Sequence, residues 1–129
     1  MQKLMLVALG GAVGSVLRYL IVSATHAVVG GSFPIGTLLV NTIGCFAIGF
    51  LGSVMESSWG WRDAHRVAVI VGLLGGFTTF SAYAWDTLTL AQHDRRGLAL
   101  WNVLMENGFG VAAVWGGWTL ANRFLPRSA

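Results

Sequence analysis

The uncharged run from Val67 to Trp85 is nineteen residues long, about what one helix needs to cross a bilayer. Its centre is nevertheless a poor helix former. Gly75 and Gly76 carry the lowest helix preference after proline, and Thr78 and Thr79 follow as an adjacent β-branched pair. A helix interrupted at membrane depth frees backbone carbonyls and amides that lipid cannot satisfy, so such breaks persist where they line a cavity or hold an ion. The alternative is that the glycines only permit close helix packing, as small residues often do in membranes. Phe80, Ser81, Tyr83 and Asp86 place aromatic edges, a hydroxyl and a carboxylate just downstream, and they favour the first reading.

The composition agrees with a membrane setting. The 129 residues are 55% hydrophobic and 10% charged, against about 25% charged in soluble domains. The hydropathy is spread over four segments, and six tryptophans suit a chain with many membrane interfaces. The expected fold is a single all-α domain over residues 1–129, integral to the membrane. Its spans fall at about 4–24, 35–55, 67–90 and 97–122, with the third helix broken near Gly75 to Thr79. Lys3 and the apolar run after it resemble a signal peptide, but Arg18 interrupts that run, so segment one is expected to stay. The basic residues occur singly or in pairs, with no stripe for nucleic acid. The lone cysteine, Cys45, reads as a small packing residue. His26, His65 and His93 lack metal-ligand spacing, and no nucleophile, base and acid set or phosphate-binding loop appears, so no enzyme is expected.

Several polar residues stand out at membrane depth. Gly10, Gly14 and Arg18 share one i, i+4 row of segment one, so Arg18 faces a helix partner or wet crevice, or else snorkels from near the helix end. In segment two Thr37, Asn41 and Cys45 share a face, and the Asn41 amide must find partners, as interhelical glue or as a donor to an anion. Segment four holds Asn102 and Glu106 at i, i+4 with Asn107 beside them; a carboxylate so deep in a span is by default functional. Glycines at 108, 110, 116 and 117 suggest close packing along it. The polar loop from Glu56 to Arg66 contains Trp59, Trp61 and Arg62, and Arg123, Pro126 and Arg127 end the chain in water.

With four spans, Lys3, Arg62, Arg66, Arg123 and Arg127 share one side, and Arg95, Arg96 and at most Arg18 the other. Five against three is a small bias for the positive-inside rule. Such a chain can insert both ways and pair antiparallel. Four helices leave little room for a polar path, so at least a dimer is expected.

This combination resembles the CrcB (Fluc) family of small fluoride channels over nearly the whole chain. The resemblance rests on Gly10-Gly11-Ala12-Val13-Gly14-Ser15 with Arg18-Tyr19, on Gly36-Thr37-Leu38-Leu39-Val40-Asn41 with Gly44, and most specifically on Gly72-Leu73-Leu74-Gly75-Gly76-Phe77-Thr78-Thr79-Phe80-Ser81. It implies a passive fluoride-selective channel that relieves fluoride toxicity, multi-pass in the cell inner (plasma) membrane. It also implies an antiparallel, dual-topology homodimer with two pores and one central buried sodium ion. By motif, Asn41 matches the pore asparagine and Phe80 the first phenylalanine whose ring edge faces fluoride. Gly75 and Thr78 match the residues whose backbone carbonyls hold the sodium, and Arg18 the arginine near the aqueous vestibule. Ser81 belongs to the same polar helix portion, and Asn107 fits the segment-four pore position approximately. Tyr83 replaces the family's second phenylalanine and Asp86 its usual glutamate, while Glu106 is not placed by motif.

Fluoride is strongly hydrated, so a pore must replace lost water with compact donors such as the Asn41 amide or a hydroxyl of Ser81 or Tyr83. Ring edges carry the positive rim of the aromatic quadrupole, and Phe80 and Tyr83 at i, i+3 share a face, although plain packing is the other reading of Tyr83. A cation at the break uses carbonyls that would otherwise be orphaned. Two rivals remain: a proton-coupled small multidrug exporter working through Glu106, and a non-transporting membrane assembly subunit.

Overall fold

The computed structural model describes residues 1–57 and 63–124. Trp59, Trp61 and Arg62 in the loop, and Pro126 and Arg127 at the end, lie outside the described residues. Among the described residues every regular element is helical. Helix α1 is Gln2–Val29 and α2 is Ile35–Ser57. Helix α3 covers 63–77, α4 is Phe80–Gln92 and α5 is Arg96–Phe124. The link from α1 to α2 turns through Gly30 (φ 61°) and Gly31 (φ 83°), a left-handed backbone that glycine adopts without strain.

Helix α3 is not uniform. After one turn at Asp63–Arg66, residues Val67–Leu74 form a π-helix, and Gly75–Phe77 a last α turn. The chain then extends, at Thr78 (φ −79°, ψ 159°) and Thr79 (φ −153°, ψ 110°), before α4 begins. The interruption is two residues long and lies at the C-terminal end of the expected Gly75 to Thr79 window. Thr79 caps α4: its Oγ1 accepts the Ala82 N–H at 3.1 Å, satisfying one of the four amides a helix start leaves over. The π stretch had no counterpart in the sequence reading.

Glycine seams hold the helices together. A Cβ on Gly10 would lie 2.6 Å from the Ala68 carbonyl oxygen, and one on Gly14 would overlap that of Leu73. Facing them, a Cβ on Gly76 would lie 2.9 Å from the Gly11 Cα, so α1 and α3 meet backbone to backbone. The register rises together on both helices, and Lys3 and Asp63 near their starts approach to 3.8 Å, so α1 and α3 run parallel. A second seam joins α2 to α5. Cβ atoms on Gly49 and Gly117 would overlap the carbonyls of Val114 and Phe46, one on Gly110 would lie 3.5 Å from Cys45 Sγ, and Ser53 Oγ donates to Asn122 Oδ1 at 3.2 Å. These two helices also run parallel. Gly108 and Gly116 meet nothing, so only two of the four glycines expected to pack along α5 do so.

Three stretches are long and apolar enough to cross a membrane: Gln2–Val29, Ile35–Glu56 and Asp63–Gln92. The fourth expected span differs. Helix α5 has 29 residues, but Asn102, Glu106 and Asn107 dilute its hydropathy, and it does not qualify by that measure among the described residues. The chain is therefore a multi-pass membrane protein with one broken long helix. Much of its apolar surface, including Leu9, Val13, Leu20, Trp115 and Trp118, faces outward, as lipid or a partner requires.

Candidate functional site

The site forms where α2, α5 and the break converge. Thr79 N–H donates to Asn41 Oδ1 at 2.8 Å, and Asn41 Nδ2 donates to the Thr79 carbonyl at 3.1 Å. One side-chain amide thus replaces the backbone partners that the extended residue has lost, as lipid-depth backbone requires. The second Nδ2 hydrogen goes to Glu106 Oε2 at 3.0 Å, so both amide donors of Asn41 are engaged within the chain. Asn41 is interhelical glue in this arrangement.

Arg18 turns toward the break rather than snorkelling. Its Nη1 donates to the Thr78 carbonyl at 3.2 Å, and Ser15 Oγ donates to the Gly76 carbonyl at 3.4 Å. A methyl on Gly44 would overlap Thr78 Cγ2, so the missing side chain lets the extended segment lie against α2. The break is held from α1 on one side and from α2 on the other.

A cavity of about 320 Å³ opens beside this junction. Asn41, Gly44 and Cys45 line it from α2, and Gly75, Thr78 and Thr79 from the break. Phe80 and Tyr83 line it from α4, and Glu106 and Asn107 from α5. The Phe80 and Tyr83 rings meet edge-on, centroids 5.3 Å apart at 66°. Phe80 is 78% exposed, and Gly75 and Asn107 are exposed too, so the cavity is open-sided in the single chain. Asn107 Nδ2 donates to the Tyr83 hydroxyl at 3.3 Å, which fixes that oxygen and leaves its own hydrogen to donate. Glu106 is 8% exposed, with Oε1 buried and without a hydrogen-bond partner among the described residues.

Of the residues singled out by sequence, Asn41, Gly75, Thr78, Phe80, Tyr83 and Asn107 line this cavity. Ser81 and Arg18 do not. Ser81 Oγ lies 3.2 Å from Thr79 Oγ1 and is exposed. Sequence reasoning missed Thr79 as the partner of Asn41, and left Glu106 without a place. The i, i+4 spacing of Asn102 and Glu106 was the available signal, because it puts both on one inward face of α5: Asn102 Nδ2 donates to Thr87 Oγ1 on α4 at 2.8 Å, and Glu106 accepts from Asn41 on α2. A second cavity, of about 330 Å³, is lined by Asp86, His93 and Arg95, and Thr37 Oγ1 donates to Asp86 Oδ2 at 2.8 Å beside it.

The carbonyls of Gly75 and Thr78 suit a hard monovalent cation by type. Thr79 N–H is bound to Asn41 rather than to Gly75, so the Gly75 oxygen stands outside the helical ladder, as the Thr78 oxygen does. Arg18 uses one lone pair of the latter and leaves the second.

The profile of the family described as "CrcB-like protein, Camphor Resistance (CrcB)" matches residues 5–118. The chain belongs to this family. Similar CrcB proteins include the fluoride-specific ion channel FluC of Solibacter usitatus (strain Ellin6076), 44% identical over 95% of this chain and 100% of its own. The proteins of that name from Allorhizobium ampelinum and Acidobacterium capsulatum are 46% and 37% identical, covering 91% and 96% of this chain and 94% and 99% of theirs. As a CrcB chain it carries the break, the Asn41 face and the Phe80 ring in one place.

Proposed function

We propose that the protein is a fluoride-selective channel, and not an enzyme, that lets fluoride leave the cell passively across the inner membrane. The observation that carries this reading is the Asn41 amide set at the break, opening into a cavity edged by Phe80 and Tyr83. The names of the relatives support the same activity. Fluoride shed of water meets the Asn41 amide, the Tyr83 hydroxyl and the rims of two rings, all compact positive donors in a low-dielectric setting. Ser81 extends the polar path beyond the cavity, and Asn107 orients the Tyr83 hydroxyl. Arg18 draws anions toward the break, where it adjoins Thr78.

The working unit is an antiparallel, dual-topology homodimer. Helix α5 crosses the membrane as the fourth span: it runs parallel to α2 along the shared glycine seam, so it spans where α2 spans. The four helices form one domain over residues 1–129. The open side of the cavity at Gly75 and Phe80 is where the inverted partner closes a pore, one for each subunit. The same symmetry brings the carbonyls of Gly75 and Thr78 from both subunits together to hold a structural sodium ion, whose charge offsets that of passing anions.

Purified protein in liposomes tests the reading directly. Fluoride efflux with chloride retained is the expected result, and equal chloride efflux, or no fluoride efflux, overturns it.

A further inference from the structure

We infer that Glu106 is a proton-carrying acid of the permeation cavity: fluoride occupies the site beside Asn41 when Glu106 is protonated, and a carboxylate there excludes it. The inference rests on the fluoride-channel reading.

Glu106 is nine-tenths buried, its Oε2 holds an Asn41 donor, and its Oε1 faces no hydrogen-bond partner among the described residues. Ionised, the side chain is an anion already seated on the amide that fluoride needs, and it repels a second anion in a low-dielectric cavity. Protonated, it changes sides. Its hydroxyl becomes a donor, and the weaker Asn41–Oε2 bond is readily exchanged for one to fluoride. The proton comes from water, remains on Glu106 as fluoride passes, and returns to water.

The other groups facing this acid are few. Helix α2 presents the Cys45 thiol, and α4 presents the Tyr83 hydroxyl and, beyond it, the Asp86 carboxyl held by Thr37. Helix α3 brings no ionisable side chain to the cavity, and the positive charge nearest the break, Arg18 on α1, is engaged with the Thr78 carbonyl. Among the described residues nothing cationic lines the cavity.

Fluoride efflux from liposomes is measured from about pH 6 to about pH 8.5, with protein-free vesicles correcting for neutral hydrogen fluoride. The wild type is expected to slow as the pH rises, by about tenfold per pH unit once Glu106 has lost its proton. Glu106→Gln keeps a donor and cannot ionise, so it is expected to conduct at a rate independent of pH; Glu106→Ser, a smaller neutral donor, is run beside it. In infrared difference spectra of the wild type, fluoride is expected to raise a carboxylic-acid carbonyl band that Glu106→Gln lacks. Wild-type fluoride efflux that is flat in pH overturns the proton role and leaves the channel reading standing. A pH dependence that persists in Glu106→Gln overturns the assignment to this residue, as does loss of fluoride efflux in both neutral variants while each still elutes as the folded assembly. Absence of fluoride efflux from the wild type at every pH overturns the channel reading and this inference together.

Discussion

Asn41 and Thr79 exchange a pair of hydrogen bonds across the break, 2.8 Å from the Thr79 N–H to Oδ1 and 3.1 Å from Nδ2 to the Thr79 carbonyl. A side chain on α2 thereby does for an extended residue what a helix or a sheet does for its own backbone. Removing it leaves both a donor and an acceptor at membrane depth without that partner, at a cost of about 1–3 kcal/mol for each group. Asn41→Asp retains the acceptor, loses both donors and sets a carboxyl against that of Glu106. Fluoride efflux is expected to fall more than about tenfold, with chloride still excluded. A wild-type rate would remove Asn41 from the path.

Phe80 offers a cleaner separation of function from stability. Its ring is 78% exposed in the single chain, so it contributes little to that chain's packing. Phe80→Ile is expected to keep the thermal transition of the detergent-solubilised protein within a few degrees while lowering fluoride efflux at least about tenfold, because the aromatic rim is lost. A normal rate would mean the ring edge plays no part.

Tyr83→Phe removes the hydroxyl that Asn107 holds at 3.3 Å and keeps the edge-on contact with Phe80. Asn107 retains its bond to the Val103 carbonyl at 2.8 Å. A neutral hydrogen bond of this kind is worth about 0.5–1.5 kcal/mol, so fluoride efflux should change by no more than about tenfold, with selectivity over chloride kept. Loss of selectivity in this variant would make the hydroxyl the selective element in place of the ring.

The glycine seams set a stability contrast. A methyl at Gly14 overlaps the Leu73 carbonyl and cannot be accommodated without moving α1 from α3, so Gly14→Ala is expected to cost about 1–3 kcal/mol. Gly108 faces open space, and Gly108→Ala is expected to be neutral or slightly stabilising. Thermal denaturation of the two variants in the same detergent checks this. Equal loss in both would mean the seam is not backbone to backbone.

Much of this arrangement was legible in the sequence, for local reasons. Adjacent glycines followed by adjacent threonines weaken a helix wherever they stand, so the interruption before Phe80 could be read directly. The row of Gly10, Gly14 and Arg18 follows from helical spacing alone, and it does face α3. The π-helix at Val67–Leu74 could not be read, because its i→i+5 pattern has no residue signature. Nor could the bond between Asn41 and Glu106, 65 positions apart, which depends on the register of α2 against α5. That register also decides which α5 glycines pack, and spacing within one helix cannot supply it. Two of the three residues that drop α5 below the hydropathy of a membrane span, Glu106 and Asn107, line the cavity, so part of what obscures the span belongs to the site.

Fluoride, and not chloride, is expected to pass beside Asn41 and Phe80. The reversal potential of the purified protein in a planar bilayer, under opposed fluoride and chloride gradients, tests it most directly. A potential at the fluoride equilibrium value is expected, with the conductance largely abolished in Asn41→Asp and Phe80→Ile. A potential that follows chloride, or one that tracks fluoride undiminished in both variants, would contradict it.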